Sequence, residues 1–429
     1  MTITVVGHGY VGLVTACVFA DFGNHVWVIG HTKEKVDRLK KGDPIIYEPG
    51  LKELLQKNIQ AKRISFTLDY EKAVPESDIV FITVGTPPKE TGEADLTAVI
   101  EVARNIGKNL KSKFTVISCK STVPVGTNHK LEVIISKHKS KQVDFAVASC
   151  PEFLREGTAI SDTINADRVV IGSDNKLATS RLVELHKPIN GKRVITNLAS
   201  AEMIKYASNV FLANKISFAN LISFYCEKAG ANVNEVLSGV GIDERIGNQF
   251  LNPGLGYGGS CLPKDVKAFL DIGKKLLVDT QLLTAIENIN IKAQKNFLDK
   301  IISHSPGKKV AVWGLSFKPN TDDIRYAPSV YIIEKLLEQG FQINVYDQEA
   351  IKNIEKIFVN KIIYCKDPYQ AVNKVDALII ITEWNEFRQI DLSKVKKLMK
   401  NPTIFDGRNI YDPSDLKKLG FKYYSIGRP

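Results

Sequence analysis

The opening stretch MTITVVGHGYVG constrains the fold more than any other part of the chain. Ile3-Thr4-Val5-Val6 is a short, β-branched apolar run, and Gly7-His8-Gly9-Tyr10-Val11-Gly12 follows directly. An amphipathic stretch then continues to Phe22, Gly23-Asn24 stops it, and His25 to Ile29 returns to strand character. Strand, glycine turn, helix and strand at this spacing predict a βαβ unit. In such a unit the first glycine permits the tight turn and the second lets backbone approach a pyrophosphate. The third permits close helix–strand packing, and the helix N-terminus supplies partial positive charge. Gly7, Gly9 and Gly12, with Tyr10 and Val11 between them, are therefore candidate dinucleotide-binding residues.

The pattern continues. Further strands are predicted at Ile79–Val84, Thr115–Ser118, Phe145–Ser149 and Val169–Gly172, separated by helix-length segments. From about Leu198 to Ala229 the chain becomes one long helical stretch without Pro or Gly, and more helix, broken by a glycine-rich loop, runs to about residue 300. Lys309 to Gly314 then begins a second βαβ series, with strands at Ile343–Tyr346, Ala377–Ile381 and Thr403–Phe405. The fold class is α/β: two Rossmann-like doubly wound domains joined by a long central helix. The expected division is 1–196 for dinucleotide binding, 197–300 for a helical dimerisation and active-site segment, and 301–429 for a second nucleotide-binding domain. The active site is expected between the two α/β domains.

Composition excludes several classes. The 429 residues carry 44% hydrophobic and 24% charged side chains, ordinary values for a globular chain with more than one core. No apolar run reaches the roughly 18 residues that a membrane helix needs, and the N-terminus lacks secretory features. The six cysteines form no C-x-x-C pair, so neither a metal site nor a disulfide framework is expected, and a reducing cytoplasm fits best. The net charge of +11 comes from lysines spread along helix-like stretches, such as Lys108, Lys111 and Lys113. That is a solvated face rather than a nucleic-acid surface.

One position departs from the dinucleotide pattern. The end of the second strand ordinarily carries an acid that grips the adenosine ribose 2′-hydroxyl. Here Val28-Ile29 is followed by Gly30-His31-Thr32-Lys33-Glu34-Lys35. Gly30 gives neither the hydrogen bond nor the charge that would repel a 2′-phosphate, and His31, Thr32, Lys33 and Lys35 are candidates to receive one. The other reading is that Gly30 merely ends the strand while NAD is held elsewhere.

Gly256-Tyr257-Gly258-Gly259-Ser260-Cys261-Leu262-Pro263-Lys264-Asp265 is the stretch richest in chemistry. Its glycines let backbone wrap closely around a ligand, and Cys261 is fixed at the loop's edge as a candidate nucleophile. Lys264 can stabilise a thiolate or a developing oxyanion, and Asp265 can order a water. Lys205 and Asn209 lie four apart and share one face of the long helix. That face is otherwise largely apolar, so Lys205 is expected either to pair with an anion or to snorkel to the surface.

With these motifs stand Val84-Gly85-Thr86-Pro87, Ser121-Thr122-Val123-Pro124, Pro151-Glu152-Phe153-Leu154-Arg155-Glu156-Gly157, Gly241 to Gly247, Phe317 to Arg325, and Phe405-Asp406-Gly407-Arg408. Over nearly its whole length the chain resembles the UDP-glucose/GDP-mannose dehydrogenase family. The resemblance implies a four-electron oxidation of a nucleotide sugar, CH2OH to carboxylate, with two hydrides passing to nicotinamide. It implies that Lys205 and Asn209, with a water held by Asp265, assist the first oxidation. Cys261 would then form a thiohemiacetal and a thioester, and Thr122, Glu156 and Asp265 would position the hydrolytic water. Glu152, Phe153, Leu154, Arg155 and Glu156 would line the sugar. Phe250, Leu251, Asn252, Pro253, Gly254 and Gly258 would hold the nucleotide diphosphate, with Lys318 and Arg408 neutralising phosphates. Lys35, Thr86, Thr122, Glu156, Lys264 and Arg325 match cofactor-side positions. Arg245 resembles a substrate-binding arginine that arrives from a partner subunit, which implies a homodimer packed through the long helix.

Within the family, the loop Asn252 to Tyr257 looks like the UDP-glucose type, whereas the GDP-mannose type is usually richer in aromatics. Ser260 stands where enzymes of N-acetylated UDP sugars usually show histidine. Another UDP-hexose or GDP-mannose remains the alternative substrate, and NAD, with NADP left open by Gly30, the expected cofactor. A two-electron dehydrogenase with a structural Cys261, or a non-catalytic sensor of nucleotide sugar, are the readings from other classes.

Overall fold

The computed structural model describes residues 1–111 and 113–428 and divides into two compact units, Met1–Ser208 and Asn209–Pro429. The first unit is built on an eight-stranded sheet. Its strands are β1 Thr2–Val6, β2 His25–Ile29, β3 Ile64–Thr67, β4 Ile79–Ile82, β5 Thr115–Cys119, β6 Phe145–Ser149, β7 Asn165–Gly172 and β8 Asn190–Thr196. They lie in the order β3-β2-β1-β4-β5-β6-β7-β8. Pairing is parallel throughout except where β6 meets β7, which touch antiparallel at Ser149 and Gly172. The reversal of strand order on either side of β1 puts the carboxyl ends of β1 and β4 at the crevice where ligands of such sheets bind.

The fingerprint forms as its glycines dictate. Gly7 has φ +117°, where a side chain would be strained, and a Cβ there would also press on Thr83. A Cβ on Gly12 would fall onto the Gly7 carbonyl oxygen, while nothing lies within 4 Å of the Cβ position of Gly9. The turn is thus packed at its first and third glycines and open at its second, the side from which a ligand's phosphates approach. Gly9 caps the helix Tyr10–Asp21, and just past the end of β4 the Thr83 hydroxyl donates to the Val6 carbonyl at 2.9 Å.

The second unit carries six strands: β9 Lys309–Trp313, β10 Gln342–Tyr346, β11 Ile363–Tyr364, β12 Ala377–Ile380, β13 Thr403–Asp406 and β14 Lys422–Tyr424. All pair parallel in the order β11-β10-β9-β12-β13-β14. Asp347, immediately after β10, accepts from the Leu315, Glu349 and Ala350 amides at 2.7, 2.9 and 2.9 Å and from Trp384 Nε1 at 3.0 Å. The helices of this unit include Leu262–Lys275 and Gln281–His304. The helix Leu198–Ala229 is continuous for 32 residues, as its uninterrupted sequence requires, and the boundary between units falls within it.

Four strands go beyond the sequence expectation: β3, β8, β11 and β14. All four are sheet edges. An edge strand is not covered on both faces and along both sides, so it need not carry the continuous apolar run that marks a central strand. β8, reading NGKRVIT, is exposed over its first three residues. β7 likewise starts four residues before the expected Val169, in the partly exposed segment Asn165–Arg168.

Candidate active site

In the first unit, β6 leads into the loop Pro151–Gly157. Lys205 is 4% exposed and donates to the Glu152 carbonyl at 2.6 Å and the Glu152 carboxylate at 3.1 Å. It pairs with an anion and does not snorkel. The second Glu152 oxygen accepts from the Leu154 amide at 2.8 Å, so one carboxylate fixes both the lysine and the loop. The Phe153 ring lies 5.2 Å from Lys205 Nζ and 3.9 Å from the Arg168 guanidinium, a cationic setting for an aromatic face. Arg155 turns away to Asp162 at 2.7 Å. Thr86, buried, donates to the Thr122 carbonyl at 2.9 Å, which ties two of the cofactor-side positions together. Glu156 is part-exposed beside Gly157, whose amide bonds the Tyr10 hydroxyl of the fingerprint at 2.8 Å.

Three residues of this unit escaped the sequence reading. Glu48, in Tyr47-Glu48-Pro49-Gly50, is buried and accepts from the Gly157 and Ala159 amides at 2.6 and 2.7 Å. Glu202, one turn from Lys205's neighbours, accepts from the Gly126 and Asn128 amides at 2.6 and 2.8 Å, and burial raises its pKa. Lys120 donates to the Cys150 carbonyl at 3.3 Å. Loss of solvation is the chief cause of its lowered pKa; nearby Cys150 and Glu152 oppose that shift and Lys205 adds to it. The signal for Lys120 was available: a lysine directly after a central strand and directly before Ser121-Thr122-Val123-Pro124. Glu48 and Glu202 are single acids whose partners are backbone amides, and no spacing announces those.

At the end of β2, Gly30 is enclosed. A Cβ there would fall inside contact distance of Val36 Cγ2 and 3.5 Å from His8 Nδ1, so an acid at this position would have to displace Val36. His31, Lys33 and Lys35 are exposed around it and Thr32 is the N-cap of the helix Lys33–Lys40.

In the second unit, the glycine loop is closely packed. The Gly254 amide bonds Asn220 Oδ1 at 2.8 Å, and Asn290 bonds both the amide and the carbonyl of Tyr257, at 2.7 and 3.2 Å. The Gly259 amide bonds the Arg325 carbonyl at 2.9 Å. A Cβ on Gly258 would strike the Tyr326 carbonyl oxygen, and one on Gly259 would lie 2.7 Å from the Phe317 ring. One on Gly254 would lie 3.1 Å from Arg408 Nη1. Glycine is thus required by close approach of β9- and β13-side backbone and side chains, and the loop, Arg325, Phe317-Lys318 and Arg408 are brought together. Arg408 is anchored to the Ile381 carbonyl at 2.7 Å and to Glu383 at 3.2 Å. Phe250 has φ +65°, a strained value for an aromatic residue, at the start of Leu251-Asn252-Pro253-Gly254. Arg245 stands apart: its side chain is 89% exposed and bonds Asp243.

Cys261 is the N-cap of the 14-residue helix Leu262–Lys275, with Pro263 in its first turn. The start of a helix is its positive end, a setting suited to an anionic group. Of the six cysteines five are buried and Cys261 is part-exposed. Asp265, in the same first turn, is 1% exposed. Its two oxygens accept from Lys264 Nζ and Asn209 Nδ2, each at 2.5 Å. Asn209 lies one helical turn after Lys205. Among the described residues no cluster of His, Cys, Asp and Glu could hold a metal, and no helix is long and apolar enough to cross a membrane.

Comparison with known proteins identifies the family. Three domain profiles of the UDP-glucose/GDP-mannose dehydrogenase family match: the NAD-binding domain over residues 1–190, the central domain over 199–292 and the UDP-binding domain over 311–413. A UDP-glucose 6-dehydrogenase of Bacillus subtilis is 45% identical across all of this chain and 93% of its own length, and one of Rhizobium meliloti 44% across the whole of both. The structure of a UDP-glucose dehydrogenase from Pyrobaculum islandicum superposes with TM-score 0.93 at 35% identity, covering 100% of this chain and 98% of that one. The chain belongs to the UDP-glucose/GDP-mannose dehydrogenase family.

The differing environments of the cysteines have a direct readout. Burial pushes the Cys17 and Cys119 thiols up to about 12, and the thiolate is the reacting form. Brief treatment of the native protein with iodoacetamide is expected to alkylate Cys261 first, as read by peptide mass spectrometry. Equal labelling of the buried cysteines would contradict the described packing.

Proposed function

We propose that the chain oxidises the C6 alcohol of UDP-glucose to the carboxylate of UDP-glucuronate, at the expense of two molecules of NAD. The observation that carries the reading is Cys261, the one part-exposed cysteine, set as N-cap of a helix at the end of a loop whose glycines leave no room for a side chain. The three segments 1–196, 197–300 and 301–429 would supply dinucleotide binding, chemistry and UDP binding respectively, in the reducing cytoplasm where a free thiol persists.

The fingerprint fits the dinucleotide: its second glycine is open and its helix N-terminus unblocked. When bound, the nicotinamide accepts hydride at each oxidation. The chain's own residues do the rest. Lys205 and Asn209, one turn apart on one helix, are assigned to the C6 oxygen as it loses its proton, Lys205 stabilising the developing negative charge. A water on Asp265 carries the proton away. The Cys261 thiolate then adds to the aldehyde carbon, and the thiohemiacetal oxygen takes up a proton. The second oxidation leaves a thioester. Water, placed by Thr122, Glu156 and Asp265, cleaves its C–S bond, giving the carboxylate and restoring the thiol. Glu152 to Glu156 are assigned to the sugar, Phe250 to Gly254 with Gly258, Lys318 and Arg408 to the diphosphate, and Thr86, Lys264 and Arg325 to the cofactor side. Gly30 removes the acid that excludes a 2′-phosphate, so NADP is accepted alongside NAD.

Assembly is the remaining part of this reading. Phe211, Phe218 and Tyr225 recur every seven residues on the long helix and are 62, 43 and 67% exposed. A stripe of that period suits a second copy of the same helix, and the exposed Arg245, which would exchange Asp243 for the ligand, is assigned to that copy's sugar site. Sedimentation equilibrium is expected to give twice the chain mass, and Phe218→Asp to halve it; a wild-type monomer would remove the homodimer.

Counting reduced cofactor against sugar acid tests the chemistry. Two per UDP-glucuronate are expected, and one would mean a two-electron enzyme with a structural Cys261. In the same assay Lys205→Ala is expected to lose about 2–4 kcal/mol of barrier stabilisation, comparable with a lost oxyanion donor. A rate within a few-fold of wild type would mean that Lys205 only anchors Glu152.

A further inference from the structure

His8 lies between the first two glycines of the fingerprint, is 3% exposed, and has no hydrogen-bond partner at either ring nitrogen. A buried polar ring without partners is unusual and calls for a ligand or a stated reason. Its ring meets that of His31 edge-on, with centroids 4.6 Å apart. Its Nδ1 faces Gly30, 3.5 Å from where a Cβ would sit, at the position an acid would take to hold the ribose. Burial, followed by the charges of His31 and Lys35, lowers its pKa from 6.5 to about 4. At neutral pH the ring is therefore uncharged, keeps one N–H to donate, and sits in a positive field.

The adjoining backbone has the same polarity. Thr32 caps the helix Lys33–Lys40, and its hydroxyl is not used to cap it. The first-turn amides of a helix have no partners within it and attract anions. Lys33 and Lys35 flank that turn, and its one acid, Glu34, is exposed. An acid at position 30 is absent, and any Cβ there would have to displace Val36.

We propose that His8, His31, Thr32 and the first turn of the helix Lys33–Lys40 form a pocket for a phosphomonoester on the adenosine ribose 2′-oxygen. The chain is thus built to prefer NADP, not merely to tolerate it. This rests on the dinucleotide reading of the fingerprint and goes beyond the absence of an acid. His8 and His31 would donate to phosphate oxygens, Thr32 would add its hydroxyl, and Lys33 and Lys35 would neutralise the charge.

The test is binding of adenosine 2′,5′-bisphosphate and of 5′-AMP to the intact protein by calorimetry, in wild type, His31→Ala, Thr32→Val and His8→Asn. His31 is exposed, so its variant is expected to fold even if the His8 variant does not. Wild type is expected to bind the bisphosphate about tenfold or more tightly than 5′-AMP, as charge-assisted hydrogen bonds to a phosphate imply. His31→Ala and Thr32→Val are expected to cut that ratio about threefold or more while 5′-AMP affinity stays within about twofold. Equal affinities with 5′-AMP still bound, or a ratio that no variant moves, would overturn the pocket and leave the dinucleotide reading standing. Failure of 5′-AMP itself to bind would overturn that reading and the pocket with it. Inorganic phosphate binding as tightly as the bisphosphate would mean a general anion site and would also overturn the proposal.

Discussion

Asp265 is a carboxylate almost wholly removed from water, and it stands only because both its oxygens are held, one by Lys264 and one by Asn209. An unpaired buried charge is severely destabilising, so these partners are obligatory rather than incidental. The bond to Asn209 docks the first turn of the helix Leu262–Lys275 against the long helix, and the Asp265 amide closes that turn on the Cys261 carbonyl at 3.0 Å. The position of the thiol is therefore set by a salt bridge, a side-chain amide and a helix start together. The glycine loop before it is fixed from the other side by Asn220, Asn290 and the Arg325 carbonyl. A thiol held by so many independent contacts is preorganised, as the proposed covalent step would need.

The two Rossmann-like sheets offer an internal comparison. In each, the residue after the second strand of the central pair meets the turn after the first. In the second unit that residue is Asp347, which spends its carboxylate on the Glu349 and Ala350 amides of its own turn, on the Leu315 amide after β9 and on Trp384. In the first unit it is Gly30, which leaves His8 without a partner. The same backbone thus carries an acid in one turn and a glycine in the other.

Much of this was legible in the sequence because the relevant constraints are local. The glycine spacing of residues 7–12 fixes a turn and the unbroken run Leu198–Ala229 fixes a helix, while the apolar face around Lys205 leaves an ion pair or a snorkelling side chain, and only the fold decides for the pair. Edge strands were not legible, since partial exposure erases their apolar run. Nor were Glu48, Glu202 and His8. The two acids act on amides brought in by distant chain, and His8 is distinguished only by what it lacks. Lys120 directly precedes Ser121-Thr122-Val123-Pro124, yet its burial depends on β5, β6 and the long helix packing together.

The account turns on Cys261 as a covalent nucleophile, and Cys261→Ser tests it most directly, with UDP-glucose affinity and UDP-glucuronate formation measured on the same preparation. Serine keeps the size and the helix cap but not the readily formed thiolate or the reactive thioester. The account predicts near-wild-type affinity with overall oxidation severely reduced and a trapped or slowly released adduct. Sugar acid formed at close to the wild-type rate would contradict it.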